Sequence, residues 1–374
     1  MSSARSRRPL VSATRALFVA GAAVVVSLSS LLPAAHASGP VAGPAQPASG
    51  LGSKGPCGAD VRVHTNPEDP FQRISIHNPT GTGQTPITGG RCNDPKRPVV
   101  VVVHGVMAGI DAQLVGSSLL YSDIINHFVS TGNTVIFASW PTMAYDFAGS
   151  VTREDRALVL AKKLAPRGDF SRLGIVGHSM GGGATPYLAQ QAAARGWGSE
   201  ALWLFQLAPV FTTRVGSGPI KVPGHTRVVV ETYDNDFIVD ARSGIQQYRD
   251  YAIPSSQKKY VMVRTDDHGG PAATLLATHT SPNSLLAPED AIRFYGIYRV
   301  GDALESCALW GKNCDADLTY MGKWSDGREV RRSISSANPV DAGPPAIIFS
   351  LFGIALECES SFNPRAHTCP PSRP

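Results

Sequence analysis

Gly177-His178-Ser179-Met180-Gly181 places a serine between two glycines, after an apolar run and before a small-residue stretch. A serine in such a strand–turn–helix setting can become a nucleophile. The turn is tight, so the positions two before and two after the serine must be nearly without side chains. Gly177 and Gly181 meet that demand, and the Ser179 hydroxyl is then presented above the sheet edge. A serine hydroxyl is a weak nucleophile at neutral pH. It needs a base to take its proton, and the base needs a carboxylate to hold its tautomer and stabilise its charged form.

The order expected downstream is acid, then histidine. Residues 227–240 read as a strand followed by an acidic turn, with Glu231, Asp234, Asp236 and Asp240 as candidates. Asp236 is preferred, because Phe237-Ile238-Val239 can pack back on the core and pin it. Asp234 is the alternative acid, and both Asp234 and Asp240 also suit a turn or helix-cap role. The base is His268 or His279. His268 follows an apolar strand directly, with Gly269-Gly270 bending the loop after it, and is preferred on that ground. For the oxyanion, the Met180 N–H at a helix N-terminus and the Val106 N–H, in the loop His104-Gly105-Val106-Met107, are the expected donors. His178 adjoins the nucleophile, but its side chain should point away, and it receives no catalytic role.

These groups need elements to hold them. Residues 99–103 form a continuous valine run, as expected of a strand buried on both faces. Further strands are expected at 134–138, 173–176, 201–207, 227–232 and 260–264. Helices are expected at 123–131, 152–164, 181–195, 243–251 and 288–309. Alternating β and α segments imply an α/β fold with a mostly parallel, doubly wound sheet. Ligands in such sheets bind beyond the carboxyl ends of the strands, where all of these motifs fall.

The bulk composition sets outer limits. The chain has 374 residues, with 43% hydrophobic and 17% charged, which describes a globular protein with a sizeable core. Residues 1–37 read as a secretory signal: a basic start, an apolar stretch and Ala35-His36-Ala37 as the cleavage site. Its four arginines account for most of the formal +5, and removing them leaves +1. Nothing there suggests a nucleic-acid partner. No stable membrane anchor is expected either, because no later run is long enough to span a bilayer. Six cysteines agree with export. Nearest-neighbour pairing gives Cys57–Cys92, Cys307–Cys314 and Cys358–Cys369, and their spacing does not suit a metal site. Residues 38–56 read as a flexible leader, 57–309 as the catalytic domain, and 310–374 as a disulfide-tied C-terminal extension.

The elbow Gly177-His-Ser-Met-Gly-Gly-Gly183 resembles that of actinomycete cutinase-like polyester hydrolases in the α/β-hydrolase superfamily. Asp236-Phe-Ile-Val is similar to that family's acid loop, and residues 253–268 are similar to its last strand and catalytic-histidine loop. The 32-residue interval from Asp236 to His268 is close to the family's own. The resemblance covers residues 95–310. It implies an α/β-hydrolase fold, ester hydrolysis through an acyl-enzyme, no cofactor, and the pair Asp236 and His268. The chain departs from the family at three places. His104-Gly105-Val106 replaces Pro-Gly-aromatic, Ala208-Pro209-Val210 replaces a tryptophan segment, and Gly269-Gly270-Pro271 replaces Phe-Ala-Pro. The expected substrate is accordingly a small-molecule, lipid or polymer ester. A non-catalytic binding protein, or a peptidase or thioesterase on the same residues, is the alternative.

Overall fold

The computed structural model describes residues 41–105, 118–140, 147–216 and 218–340. Nine strands form one mixed sheet: β1 (Gly58–Asn66), β2 (Asp69–Thr80), β3 (Arg97–Val103), β4 (Thr134–Ala138), β5 (Gly168–His178), β6 (Ala201–Leu207), β7 (Arg227–Tyr233), β8 (Lys258–Val263) and β9 (Ile334–Ser336). Their spatial order is β1-β2-β4-β3-β5-β6-β7-β8-β9. Strands β3 to β8 are mutually parallel, whereas β1, β2 and β9 are joined by antiparallel pairing. This is an α/β fold.

The valine run explains how the layers assemble. Successive strand side chains point to opposite faces. Val99, Val101 and Val103 therefore join one apolar layer, with Ala157, Leu158 and Ala161 of α2 (Phe147–Leu164), Ala184 and Leu188 of α3 (Met180–Ala194), and Ile245 of α4 (Ala241–Asp250). Val100 and Val102 join the other layer, with Ile124, Ile125 and Phe128 of α1 (Ser122–Ser130) and Val300 and Leu304 of α5 (Arg299–Trp310). Helices on both faces bury the parallel strands, which is why those strands read as unbroken hydrophobic runs rather than as alternating ones.

Seven π-helical residues, Ile292–Tyr298, precede α5, so the helix expected from residue 288 starts later and more loosely wound. The antiparallel hairpin β1–β2 was not placed by the sequence reading. Strand β1 is mostly exposed and carries Val61 and Val63 on its surface, so it lacks the apolar run that marked the inner strands. Part of the expected C-terminal extension belongs to the sheet. Residues 334–336 pair with β8, and Met321, Trp324 and Val330 are buried in the second layer. The disulfides Cys57–Cys92 and Cys307–Cys314 are formed. The expected Cys358–Cys369 pair and the signal segment lie outside the described residues. Among the described residues, no helix is long and apolar enough to cross a membrane.

Candidate functional site

Ser179 stands between β5 and α3 with φ 57° and ψ −119°. A left-handed φ is costly for a residue with a side chain, and it persists only where the surroundings fix it. Here the Ser179 N–H donates to the Leu207 carbonyl at 2.9 Å, and its carbonyl accepts from the N–H groups of Gly183 and Val210. The flanking glycines are sterically required. A Cβ at Gly177 would lie 2.4 Å from the Gly181 carbonyl oxygen, and one at Gly181 would lie 2.2 Å from that of Val103. Gly105 covers the serine from the β3 side, where a Cβ would meet Ser179 Cβ at 2.8 Å and Oγ at 3.3 Å. Met180 is the first residue of α3, so its N–H has no intrahelical acceptor. Val106 lies outside the described residues.

The acid loop follows β7, two strands along the same carboxyl edge of the sheet. Asp236 Oδ1 accepts from the N–H groups of Ile238 and Val239 at 2.9 and 2.8 Å. Its other oxygen, Oδ2, lies 2.8 Å from His279 Nδ1, with both side chains nearly buried. The other acids serve elsewhere. Asp234 Oδ1 accepts from the Thr265 N–H and ties the β7 and β8 ends together. Asp240 caps α4 by accepting from the Arg242 N–H and pairs with the Arg242 guanidinium. Glu231 is fully buried and accepts from the Tyr233 hydroxyl, and burial pushes its carboxyl well above the usual range.

His268 does not meet Asp236. Its Nε2 lies 2.7 Å from Asp326 Oδ2, Arg328 donates to its Nδ1 at 3.0 Å, and Trp324 packs edge-on against the ring. The cause is a hairpin after β8. Asp266 and Leu275 exchange backbone hydrogen bonds at 2.9 Å in both directions, so the chain runs out, turns at Gly269-Gly270-Pro271 and returns. His268 sits on the outgoing limb near the tip. The Asp266 carboxylate anchors that limb to Trp324 Nε1 and the Arg331 N–H. The returning limb is drawn to the acid loop, where the Asn235 N–H donates to the Ala277 carbonyl at 3.1 Å, and His279 follows two residues later. The sequence preference for His268 is therefore replaced by the alternative, His279, as the partner of Asp236. The Gly-Gly-Pro run was the available signal of the reversal.

His178, next to Ser179, is buried beside the same pair. Its ring centroid is 4.7 Å from that of His279. Burial, with His279 close by, holds its pKa well below the usual histidine range, so the ring is neutral. His104 is likewise pressed down to about 4 by burial, and its Nδ1 lies 2.7 Å from the Gly105 carbonyl oxygen.

No family model and no curated protein matches the chain. Among solved structures it is similar to a thermostable esterase from Pseudomonas putida ECU1011, at 18% identity and a TM-score of 0.30. That alignment covers 42% of this chain and 44% of the esterase, so the chain spans less than half the length of its neighbour. A likeness so distant leaves the chemistry to be argued from the site itself.

Proposed function

We propose that this chain is a secreted serine hydrolase of the α/β-hydrolase type, cleaving carboxylic esters through an acyl-enzyme on Ser179. The observation that carries the reading is the Asp236–His279 hydrogen bond, formed at the sheet edge from which the strained Ser179 turn rises. Six parallel strands, with Ser179 following β5 at the middle of the nine-stranded sheet, agree with the mostly parallel α/β sheet expected from the sequence.

In this mechanism the carboxylate holds His279 Nδ1–H, so Nε2 carries the lone pair. Ser179 Oγ attacks the ester carbonyl carbon while its proton passes to Nε2. The N–H groups of Met180 and Val106 stabilise the oxyanion. Collapse of the tetrahedral species breaks the C–O bond to the alcohol, which leaves with the proton from Nε2. Water, deprotonated by the same nitrogen, then releases the acid. Asp236 keeps its place through the reaction because two backbone N–H groups and the His279 imidazole hold its two oxygens.

The surroundings favour an apolar ester. Phe237 adjoins the acid, Leu276, Leu285 and Leu286 flank the base segment, and Leu119 lies on the turn beside it; all are exposed. The Ser284 N–H donates to the Leu120 carbonyl at 2.7 Å, which ties that turn to the base segment. Two disulfides fit an exported chain. Ser179→Ala should abolish hydrolysis of a short-chain chromogenic ester, by about 10⁴-fold or more, and should abolish labelling by a fluorophosphonate probe without changing the circular-dichroism spectrum. Retained turnover would overturn the reading.

A further inference from the structure

Behind the Ser179 turn, two buried side chains form a single hydrogen-bonded line. The Gly105 N–H donates to Tyr121 Oη at 3.0 Å. Tyr121 Oη lies 2.7 Å from His178 Nδ1, and His178 Nε2 lies 2.8 Å from the His279 carbonyl oxygen. A carbonyl only accepts, so Nε2 carries the ring proton, Nδ1 accepts, and the Tyr121 hydroxyl donates. The line therefore has one direction, from the loop covering the nucleophile to the backbone of the histidine that meets Asp236. It joins four separate segments: the loop after β3, the turn before α1, the end of β5 and the segment that carries His279.

We propose that Tyr121 and His178 are positioning residues for the ester hydrolysis described above, on which this inference rests. They fix the base backbone relative to the Gly105 loop and the serine between them. Packing alone would not need them, since phenylalanine and leucine fill similar volumes without placing polar groups where water is excluded. Buried polar groups are retained at a cost unless each finds its partner, and here all three side-chain atoms, Tyr121 Oη and His178 Nδ1 and Nε2, do. The benefit is geometric. A displacement of the base by about 1 Å costs on the order of 100-fold in rate, and the His279 side chain, held at Nδ1 by Asp236, still depends on where its own backbone sits. His178 reaches that backbone from the residue preceding the nucleophile. An error in one position therefore carries to the other, and the separation is conserved.

The test uses the full mature chain with Tyr121→Phe, His178→Leu and His178→Gln. The glutamine can return an N–H toward the His279 carbonyl. A positioning role predicts kcat lower by about 10- to 100-fold in Tyr121→Phe and His178→Leu, with KM for a short-chain p-nitrophenyl ester unchanged within about twofold. His178→Gln should recover much of the loss. An arylboronic acid, which becomes tetrahedral on the serine, should bind about tenfold more weakly to Tyr121→Phe. Tyr121→Phe keeps the buried ring and decides the matter if His178→Leu does not fold. Wild-type kcat in Tyr121→Phe, a rise in KM alone, or a glutamine variant no better than leucine overturns the proposal. Ser179→Ala is assayed in parallel. If it is inactive while Tyr121→Phe turns over normally, only the positioning role fails. If Ser179→Ala is active, the reading of the site fails and the positioning role with it.

Discussion

Asp236 offers one oxygen to two backbone N–H groups and the other to a single imidazole, and that division decides which histidine a substitution will silence. His279→Ala should lower kcat/KM by several orders of magnitude, whereas His268→Ala should leave it within about threefold. His268 does have partners, Asp326 and Arg328, so its loss should appear as a small change in melting temperature instead. Equal loss of activity in both variants would contradict the assignment. At this scale the tight Ser179 turn and the Asp236 loop were legible in the sequence, because each follows a strand by a short and ordinary turn. The histidine that meets Asp236 was ambiguous for a physical reason. Two histidines lie on opposite limbs of one hairpin, and nothing local distinguishes the limb anchored by Trp324 from the limb bonded to Asn235.

At the scale of elements, the turn between β5 and α3 tolerates no added atoms. Gly181→Ala would put a Cβ 2.2 Å from a backbone oxygen that belongs to β3 and has nowhere to go. It should cost more than about 2 kcal/mol in urea unfolding. Gly196→Ala, at φ 73° with nothing within 4 Å, should cost only the left-handed penalty of about 1–2 kcal/mol. Similar losses in the two would show that crowding is not what the elbow glycines avoid. Helix α5 carries a second kind of constraint. Burial, with Asp302 adding to it, raises the Glu305 carboxyl from about 4.5 to about 8. The folded state then holds a proton that the unfolded chain has already released. The associated stability is present below pH 4.5 and is lost as pH rises through 8. Glu305→Gln should flatten that alkaline decline in melting temperature. A variant whose melting temperature falls as steeply as the wild type between pH 5 and 9 would place the cause elsewhere.

Legibility at the element scale followed burial. The inner parallel strands were readable because both faces are covered, and β4 and β6 were placed at their observed bounds. Strands β1, β2 and β9 were not: β1 is mostly exposed, β9 has three residues, and β2 buries the polar Gln72, Ser75, His77 and Asn78 among its isoleucines, so none leaves an apolar run in the sequence. The π-helical start at Ile292–Tyr298 also has no pattern of its own, since it differs from an α-helix only in winding. The network of Tyr121 and His178 was invisible for another reason: it joins residues distant in sequence through single atoms, and no spacing rule encodes that.

At the scale of the whole molecule, the two disulfides enclose loops of very different length. Cys57–Cys92 spans 35 residues and Cys307–Cys314 spans seven. By loop-closure entropy the first is worth about 4 kcal/mol and the second about 2. Replacing the first pair with serines should therefore lower the urea midpoint about twice as far as replacing the second. The reverse order would mean that the shorter bridge does more than restrict the unfolded chain.

The longer bridge encloses β1 and β2, while Ser179, Asp236 and His279 all lie C-terminal to it. Production in a reducing cytosol would thus remove a staple from one flank without touching any residue of the proposed site. Such material could titrate fully with an active-site probe when fresh and still lose potency on storage, through fraying that begins on the side of the molecule farthest along the sheet from β9.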